Sequence, residues 1–565
     1  MSYFTMFRSF LLPSFNLSGE EQRKLDMFLQ ILEDSGVATI IQKALRRGKN
    51  NGGRNPYNPY RLFATIIYAF SKHSGSLRKI EESINFDLRF IYLMQQERPS
   101  YVTISKFLNN VVVKSQDEIF SCIVKRILLH FNICIDDVFI DGTKIEANAN
   151  KTKFVWRPTA FQKKLDSKIK TELTKHFNMQ DNKTNFIAKE VADYISALKE
   201  KIAQQGIELE KVSFGRGHRN PDIVSSYKRL TELLLKKLEY EERESICGDG
   251  RNSYYKTDKD ATAMNMKSDY YSGLGSNMKA GYNIQIIVAK GIVLEYMVSQ
   301  DRNDLYAFIP TLNKFYVNYD HYPRRICADS GYGSLLNYRF LSENGIENYV
   351  KFQYWQPEVD GRHVELYSFD GEGRFVCLSG REGIKNPFDL NRHPRGKGND
   401  FYLISNCGRC IFKDYCKAKL KDKASNTRIF EVNKELYDYK AEARKNLLST
   451  MGIEMRVNRS SQVEGVFGVI KQDMSYDRIR RRGLENVSAE IMLVCLGYVL
   501  RKTFSLIEGK GKIEYWKAPD DLVAQISRPI NLARLIKKTK KGRNETSRKS
   551  YKNKPIKKTV KPLVS

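Results

Sequence analysis

The sequence predicts an α/β protein: a mixed-sheet core preceded by a helical domain and interrupted by two insertions. Three observations carry that expectation. Apolar residues recur at helical spacing from about residue 17 to 135, which makes 1–132 a helical domain, short β-branched runs appear from Ile133, and two long stretches, 151–280 and 353–440, break the succession of strands and helices. With 565 residues the chain exceeds one ordinary compact domain, and its 41% hydrophobic and 12% aromatic content can furnish folded cores.

The helical domain opens on a Ser18/Glu21 capping pattern before QRKLDMFLQILEDSG, followed by PYRLFATIIYAFSKHSG and SLRKIEESINFDLRFIYLM, with Gly36, Gly75 and Pro99 as punctuation. In a basic protein such a unit is a candidate DNA-end binder, with dimerisation or packing as the alternative. Residues 133–352 then read as the first part of the core. VFIDGTKIEANAN is a strand with Asp141 in its middle, and YNIQIIVAKGIVLEYMVSQ is a hairpin folded at Ala289-Lys290-Gly291. A helix (DLYAFIPTLNKFYVNY), a short strand ending at Asp329 (RRICADSGYGS), a helix (LLNYRFLSENG) and a strand (IENYVKF) follow. Residues 441–533 complete the core with helices, among them RSSQVEGVFGVIKQDM carrying Glu464. Three strands, helix, strand, helix, strand and a late helix is the order of a ribonuclease-H-like core. The first insertion holds two long amphipathic stretches, NFIAKEVADYISALKEKIAQQG and SSYKRLTELLLKKLEYEER, expected as a helical hairpin, and the second is expected to be irregular.

Charge points to the partner. The 95 Lys and Arg against 65 Asp and Glu give +30, which predicts salt-sensitive attraction to a polyanion, nucleic acid first. Residues 534–565 form a basic tail, expected to be disordered, with 13 basic residues and one acid between Arg534 and Lys561. The longest apolar run, Ile491 to Leu500, is half a membrane span, and MSYFTMFRSFLLPSF lacks the features of a signal peptide, so a cytoplasmic address is expected.

Breaking a phosphodiester and joining the freed 3′-hydroxyl to another phosphate requires an activated oxygen nucleophile and a stabilised leaving group. Two Mg²⁺ ions about 3.5–4 Å apart serve both needs, and carboxylates are the hard ligands that hold them. Asp141, Asp329 and Glu464 are placed for that work on the first strand, after the fourth and on the late helix.

Their surroundings, FIDGTKIEANANKTKFVW, ADSGYGS and QVEGVFGVIKQDM with YDRIRRRGLENVSAEIMLVCLGYVLRK, resemble the signature stretches of DDE-type transposases of bacterial insertion sequences. TDKDATAMNMK, AGYNIQIIV, SQDRNDLYAFIP and residues 54–110 are similar to the same family. The resemblance implies a transposase that cleaves element ends and transfers 3′-hydroxyl strands into target DNA, with Asp141, Asp329 and Glu464 as catalytic metal ligands for Mg²⁺, which Mn²⁺ can replace. It also implies double-stranded DNA as partner, both terminal inverted repeats and target, and a homodimer or larger assembly on it. Alternatives on the same residues are a nuclease that does not join, and a non-catalytic DNA-binding derivative. Lys144, Arg459, Lys471, Arg478, Arg481 and Arg482 are the expected DNA contacts. Lys471, seven positions after Glu464, would share its helix face. The chain departs from relatives in having Ser460 where an Arg is expected, Arg459 lying one position earlier, and no matching Tyr.

Asp258, Asp260, Asp301 and Asp304 are rival acids, read as caps or supporting groups, and Trp156 is a core residue or a platform for an unpaired base. Cys407-x2-Cys410-x5-Cys416 with Cys377 upstream offers four thiols of the ligand type for structural Zn²⁺, with unliganded thiols as the alternative. Cys122, Cys134, Cys247, Cys327 and Cys495 read as buried small residues.

Overall fold

The computed structural model describes residues 17–46, 57–72, 75–178, 182–212, 220–248, 250–266, 278–360, 363–386, 398–413, 415–416, 418–422, 426–511 and 513–519. The expected basic tail lies outside them. The chain forms two compact units: Met1–Ile135, Phe139–His321 and Ser461–Glu514 make the first, and Asp136–Val138, Tyr322–Ser460 and Tyr515–Ser565 the second.

In the first unit the N-terminal region is helical as expected: α1 (Gly19–Asp34), α2 (Val37–Arg46), α3 (Pro59–Lys72), α4 (Leu77–Phe86), α5 (Leu88–Met94), α6 (Tyr101–Phe107) and α7 (Gln116–His130). The Ser18 hydroxyl accepts the Glu21 N–H at 3.3 Å and so starts α1, satisfying one of its unpaired donors. Helix α3 is buried from Arg61 to Ser71 and packs on the long C-terminal helix Leu484–Ile507. Their closest approach is at Gly497, where a Cβ would stand 2.6 Å from the Phe70 carbonyl carbon. Only glycine allows backbones that near.

The sheet of this unit is built from β1 (Asp137–Glu146), β4 (Thr262–Asn265), β5 (Met278–Ala289) and β6 (Ile292–Ser299), with short β2 (Phe154–Trp156) and β3 (Ser253–Tyr255) paired apart from it. Central β5 runs antiparallel to β1 on one edge and to β4 and then β6 on the other. The β5–β6 hairpin folds where expected: Lys290 and Gly291 take φ of 51° and 77°, the left-handed pair that matches strand twist. In the first insertion the two expected helices are present and pack on each other, and a third precedes them: α8 (Thr159–Leu173), α9 (Ala188–Gln204) and α10 (Asp222–Cys247) surround a core that includes Leu165, Leu198, Val224 and Leu230. Helix α11 (Phe308–Tyr319) follows β6.

The second unit takes the first residues of β1: the Arg325 N–H donates to the Asp136 carbonyl at 2.9 Å. Here β7 (Arg325–Ala328), α12 (Leu335–Glu343) and β8 (Glu347–Val350) make a parallel crossover, register Arg325 to Glu347. Parallel β7–β8 and the antiparallel strands of the first unit make a mixed α/β architecture, consistent with the expected ribonuclease-H-like core. The second insertion corrects the expectation of irregularity. It forms a hairpin of β9 (Tyr367–Phe369) and β10 (Phe375–Cys377), and a sheet in the order β11 (Ile384–Lys385), β12 (Asp400–Ile404), β14 (Thr427–Val432), β13 (Lys419–Asp422). These strands are short and mostly half-exposed, so they carry little of the alternation that reveals a strand. Helices α13 (Lys434–Leu448) and α14 (Thr450–Arg459) close the unit.

Candidate active site

Asp141 sits mid-strand in β1, opposite Ile286 of β5, and its Oδ1 accepts the Gly142 N–H at 2.8 Å. Strand alternation puts Asp141 and Thr143 on one face, and Gly142 and Lys144 on the other. The segment that follows Glu464 reaches this face of β1: Lys471 Nζ donates to Thr143 Oγ1 at 2.5 Å. Glu464 itself is exposed.

The helix around Glu464 is irregular in a specific way. Ser460–Glu464 and Val469–Asp473 are π-helical turns on either side of a short α turn, Gly465–Gly468. Such turns occur mostly as single bulges, often at functional sites, and each widens the spiral. The seven-residue spacing from Glu464 to Lys471 therefore does not keep α-helical facing, which sequence spacing alone did not reveal. The half-buried Lys471 amine is directed to Thr143.

Behind β1 lies a buried polar cluster. Asp304 Oδ1 accepts from Asn283 Nδ2 at 2.7 Å and Gln285 Nε2 at 2.9 Å. It presses on Gly142, where a Cβ would stand 2.2 Å from Gln285 Nε2 and 2.6 Å from Asp304 Oδ1. The signal in the sequence was the glycine itself, which inside a strand marks a close approach. The other rival acids are also engaged structurally. Asp258 accepts the Tyr282 hydroxyl at 2.9 Å and the Gly483 N–H at 3.2 Å, and Asp260 accepts the Leu484 N–H at 2.8 Å. Both secure the start of the C-terminal helix, as N-terminal carboxylates do. Burial, with the Asp258 charge next, pushes the Tyr282 hydroxyl well above the usual phenol range. The Ser299 hydroxyl donates to Asp301 at 3.1 Å.

The segment after the Glu464 helix carries the expected arginines. Glu490, 2% exposed, accepts the backbone N–H groups of Arg480 at 3.0 Å and Arg481 at 2.8 Å, fixing the turn from below. Burial raises the Glu490 carboxyl above its usual range, opposed by those N–H groups. Exposed Arg482 donates to the Asn148 carbonyl at 2.8 Å, Arg478 lies 3.7 Å from Glu146, and half-buried Arg481 donates to Asn109. Trp156 is 55% exposed and meets Phe154 edge-on, so it is not a core residue.

In the second unit Asp329 directly follows β7. Its Oδ1 accepts the Gly331 N–H at 2.8 Å, capping the turn Ser330–Tyr332. Arg459, expected at DNA, is instead 7% exposed with Nη2 4.0 Å from Asp329 Oδ2, so its charge is directed inside the protein. Burial, together with the neighbouring Arg459, holds the Lys351 ammonium below its usual range. Cys377, Cys407, Cys410 and Cys416 line one small void. Of the other cysteines, Cys247, Cys327 and Cys495 are buried as expected, Cys122 is half-buried, and Cys134 is exposed, correcting that expectation. Among the described residues no group of three or more His, Cys, Asp or Glu side chains is gathered closely enough to hold a metal ion.

Two families match this chain. Residues 385–504 match a Transposase DDE domain, and residues 17–110 match a Transposase domain (DUF772). Both matched segments are similar to domains of transposases. These domains indicate DNA transposition activity, and the enzyme is a polynucleotidyl transferase that uses divalent metal. The DDE match includes Glu464, Lys471 and the Arg478–Arg482 segment, and stops short of Asp141 and Asp329. No curated protein and no solved structure matches the chain. Among the described residues no helix is long and apolar enough to cross a membrane.

Proposed function

We propose that this transposase cleaves the ends of its own element and transfers the freed 3′-hydroxyl strands into target DNA, with Asp141, Asp329 and Glu464 as its metal-holding acids. The observation that supports the reading is the Lys471–Thr143 hydrogen bond, which ties the segment following Glu464 to β1 two residues beyond Asp141. Both acids are accessible enough to serve: Asp141 is half-buried and Glu464 exposed. All three donors are hard carboxylate oxygens, which suits Mg²⁺, with Mn²⁺ as substitute. The bound cations would activate the attacking oxygen and stabilise the leaving one.

The protein's own groups position and balance this chemistry. The Gly142 N–H and the cluster of Asn283, Gln285 and Asp304 hold β1 from behind, so the Asp141 carboxylate keeps its direction. Arg459 offsets the Asp329 charge before any cation arrives. Exposed Arg478 and Arg482 are available to phosphates, and the basic body of the chain supplies long-range attraction to double-stranded DNA, element ends and target alike. Two ends need two sites, so the working assembly is a homodimer or larger on DNA.

The test is a gel assay of wild type and Glu464→Gln with Mg²⁺ and labelled duplexes carrying the inverted repeats that flank the coding region. Wild type is expected to give cleaved and joined products. The variant should bind the duplex and give neither product if the acid holds metal. Cleavage without joining would identify a nuclease. Binding without cleavage by wild type, with Mg²⁺ or Mn²⁺, would identify a non-catalytic DNA-binding protein.

A further inference from the structure

We propose that Cys377, Cys407, Cys410 and Cys416 form a structural site for one Zn²⁺ that pins the β9–β10 hairpin to the β11–β14 sheet. The four thiols come from three separate segments and line a single void of about 20 Å³, room for one ion or one water. Chance proximity does not explain the local backbone. Cys377 and Cys407 each open a tight turn closed three residues on, by Gly380 N–H to the Cys377 carbonyl at 2.8 Å and by Cys410 N–H to the Cys407 carbonyl at 3.2 Å. Gly380 has φ of 79°, which a side chain would resist. Two such turns presenting thiols to one space, with a third segment bringing Cys416, supply the four sulfur ligands of a closed tetrahedral site.

The surroundings fit a cluster of thiolates. Four thiolates around a divalent cation carry a net negative charge, and Lys413 and Arg428 line the same void. Arg428 also ties the Cys410–Cys416 loop in place, donating to the Cys416 carbonyl at 2.5 Å and the Ala418 carbonyl at 3.3 Å. As they stand, the four side chains are not gathered closely enough to hold an ion. Cys407 Sγ is turned to the Ile404 carbonyl at 3.3 Å and Cys377 Sγ lies 3.1 Å from Ser379 Oγ, so binding would deprotonate the thiols and rotate them onto the ion. The need is also physical. Among the described residues the buried core here is Phe375, Tyr402, Ile404, Cys407, Phe430 and Val432, with Leu366, Tyr367 and Phe369 packed against it, and small cores commonly rely on a metal or cross-link.

The experiment measures metal in full-length protein purified without chelator, and it does not depend on DNA cleavage. About one zinc per chain is expected for wild type and for Cys134→Ser, whose thiol is exposed elsewhere. Cys377→Ser, Cys407→Ser, Cys410→Ser and Cys416→Ser should each lose it. Because a variant can misfold, wild type exchanged into Co²⁺ provides the second readout: strong thiolate-to-cobalt charge transfer and tetrahedral d–d bands. Absence of zinc together with absence of those bands overturns the proposal. So does a mass lower by a pair of hydrogens that localises to a Cys407–Cys410 disulfide.

Discussion

Two long helices of the first unit reach stability by opposite means. The C-terminal helix Leu484–Ile507 is buried at every position from Ala489 to Leu500, and its only buried charge is Glu490. Helix α10 is amphipathic, with Ile223, Ser226, Leu230, Leu233 and Lys237 buried in turn along one stripe. Lys237 occupies the next position of that apolar seam and meets Asp166 of α8 at 2.7 Å, with side chains 1% and 3% exposed. An all-apolar helix gains most from transfer out of water but is indifferent to its own rotation, whereas a buried ion pair adds little net stability and penalises every register that separates it. The difference shows how each helix is oriented: α10 by a charge pair, the C-terminal helix by a glycine that only one contact point accommodates.

Breaking the charge pair should have the largest effect. Lys237→Met strands the Asp166 carboxylate in the bundle and is expected to cost about 3–5 kcal/mol, read as lost hydrogen-exchange protection across α8 and α10. Lys237→Met with Asp166→Leu should recover most of that loss; if the double variant is as unstable as the single, stranded charge is not the cause. The glycine comes second. Gly497→Ala places a methyl 2.6 Å from the Phe70 carbonyl carbon and should destabilise by about 1–3 kcal/mol in urea unfolding. An unchanged midpoint would mean the two helices can separate freely, and the C-terminal helix would then have no fixed rotation.

The same contrast governs what was legible in the sequence. Long elements with strong patterning were: the helical N-terminal region, the Lys290-Gly291 hairpin, and the order of strands and helices around Asp141, Asp329 and Glu464. Helix α8 was missed although Leu165, Ile169 and Leu173 recur every four residues, because Lys-rich spacing between them hides so thin a stripe. The sheet of the second insertion was missed because strands of two to six residues bury too few side chains to show a period. At the proposed site, residue identity suggested three acids, but not the π turns, which depend on backbone registration, nor the inward Arg459, whose partner is 130 positions away. Glu490 was equally hidden, reading as one charge at the start of an apolar run.

The smallest expected effect, and the one that tests whether the C-terminal helix relies on any charge at its far end, concerns Glu508. Lys24 of α1 reaches Glu508 at 2.5 Å and Lys510 reaches it at 2.8 Å. Hydrogen bonds from Lys24 first, then Lys510, hold its carboxyl down from 4.5 to about 2. A carboxyl depressed on folding stabilises the native state at pH values above its unfolded value, and that contribution is lost as pH falls through the folded one. The difference in melting temperature between wild type and Glu508→Gln should therefore be constant above about pH 4.5 and shrink as pH falls toward about 2. A difference that persists unchanged across that window would show that Glu508 acts by shape or neutral hydrogen bonding. The end of the C-terminal helix would then be held, like its middle, by packing alone.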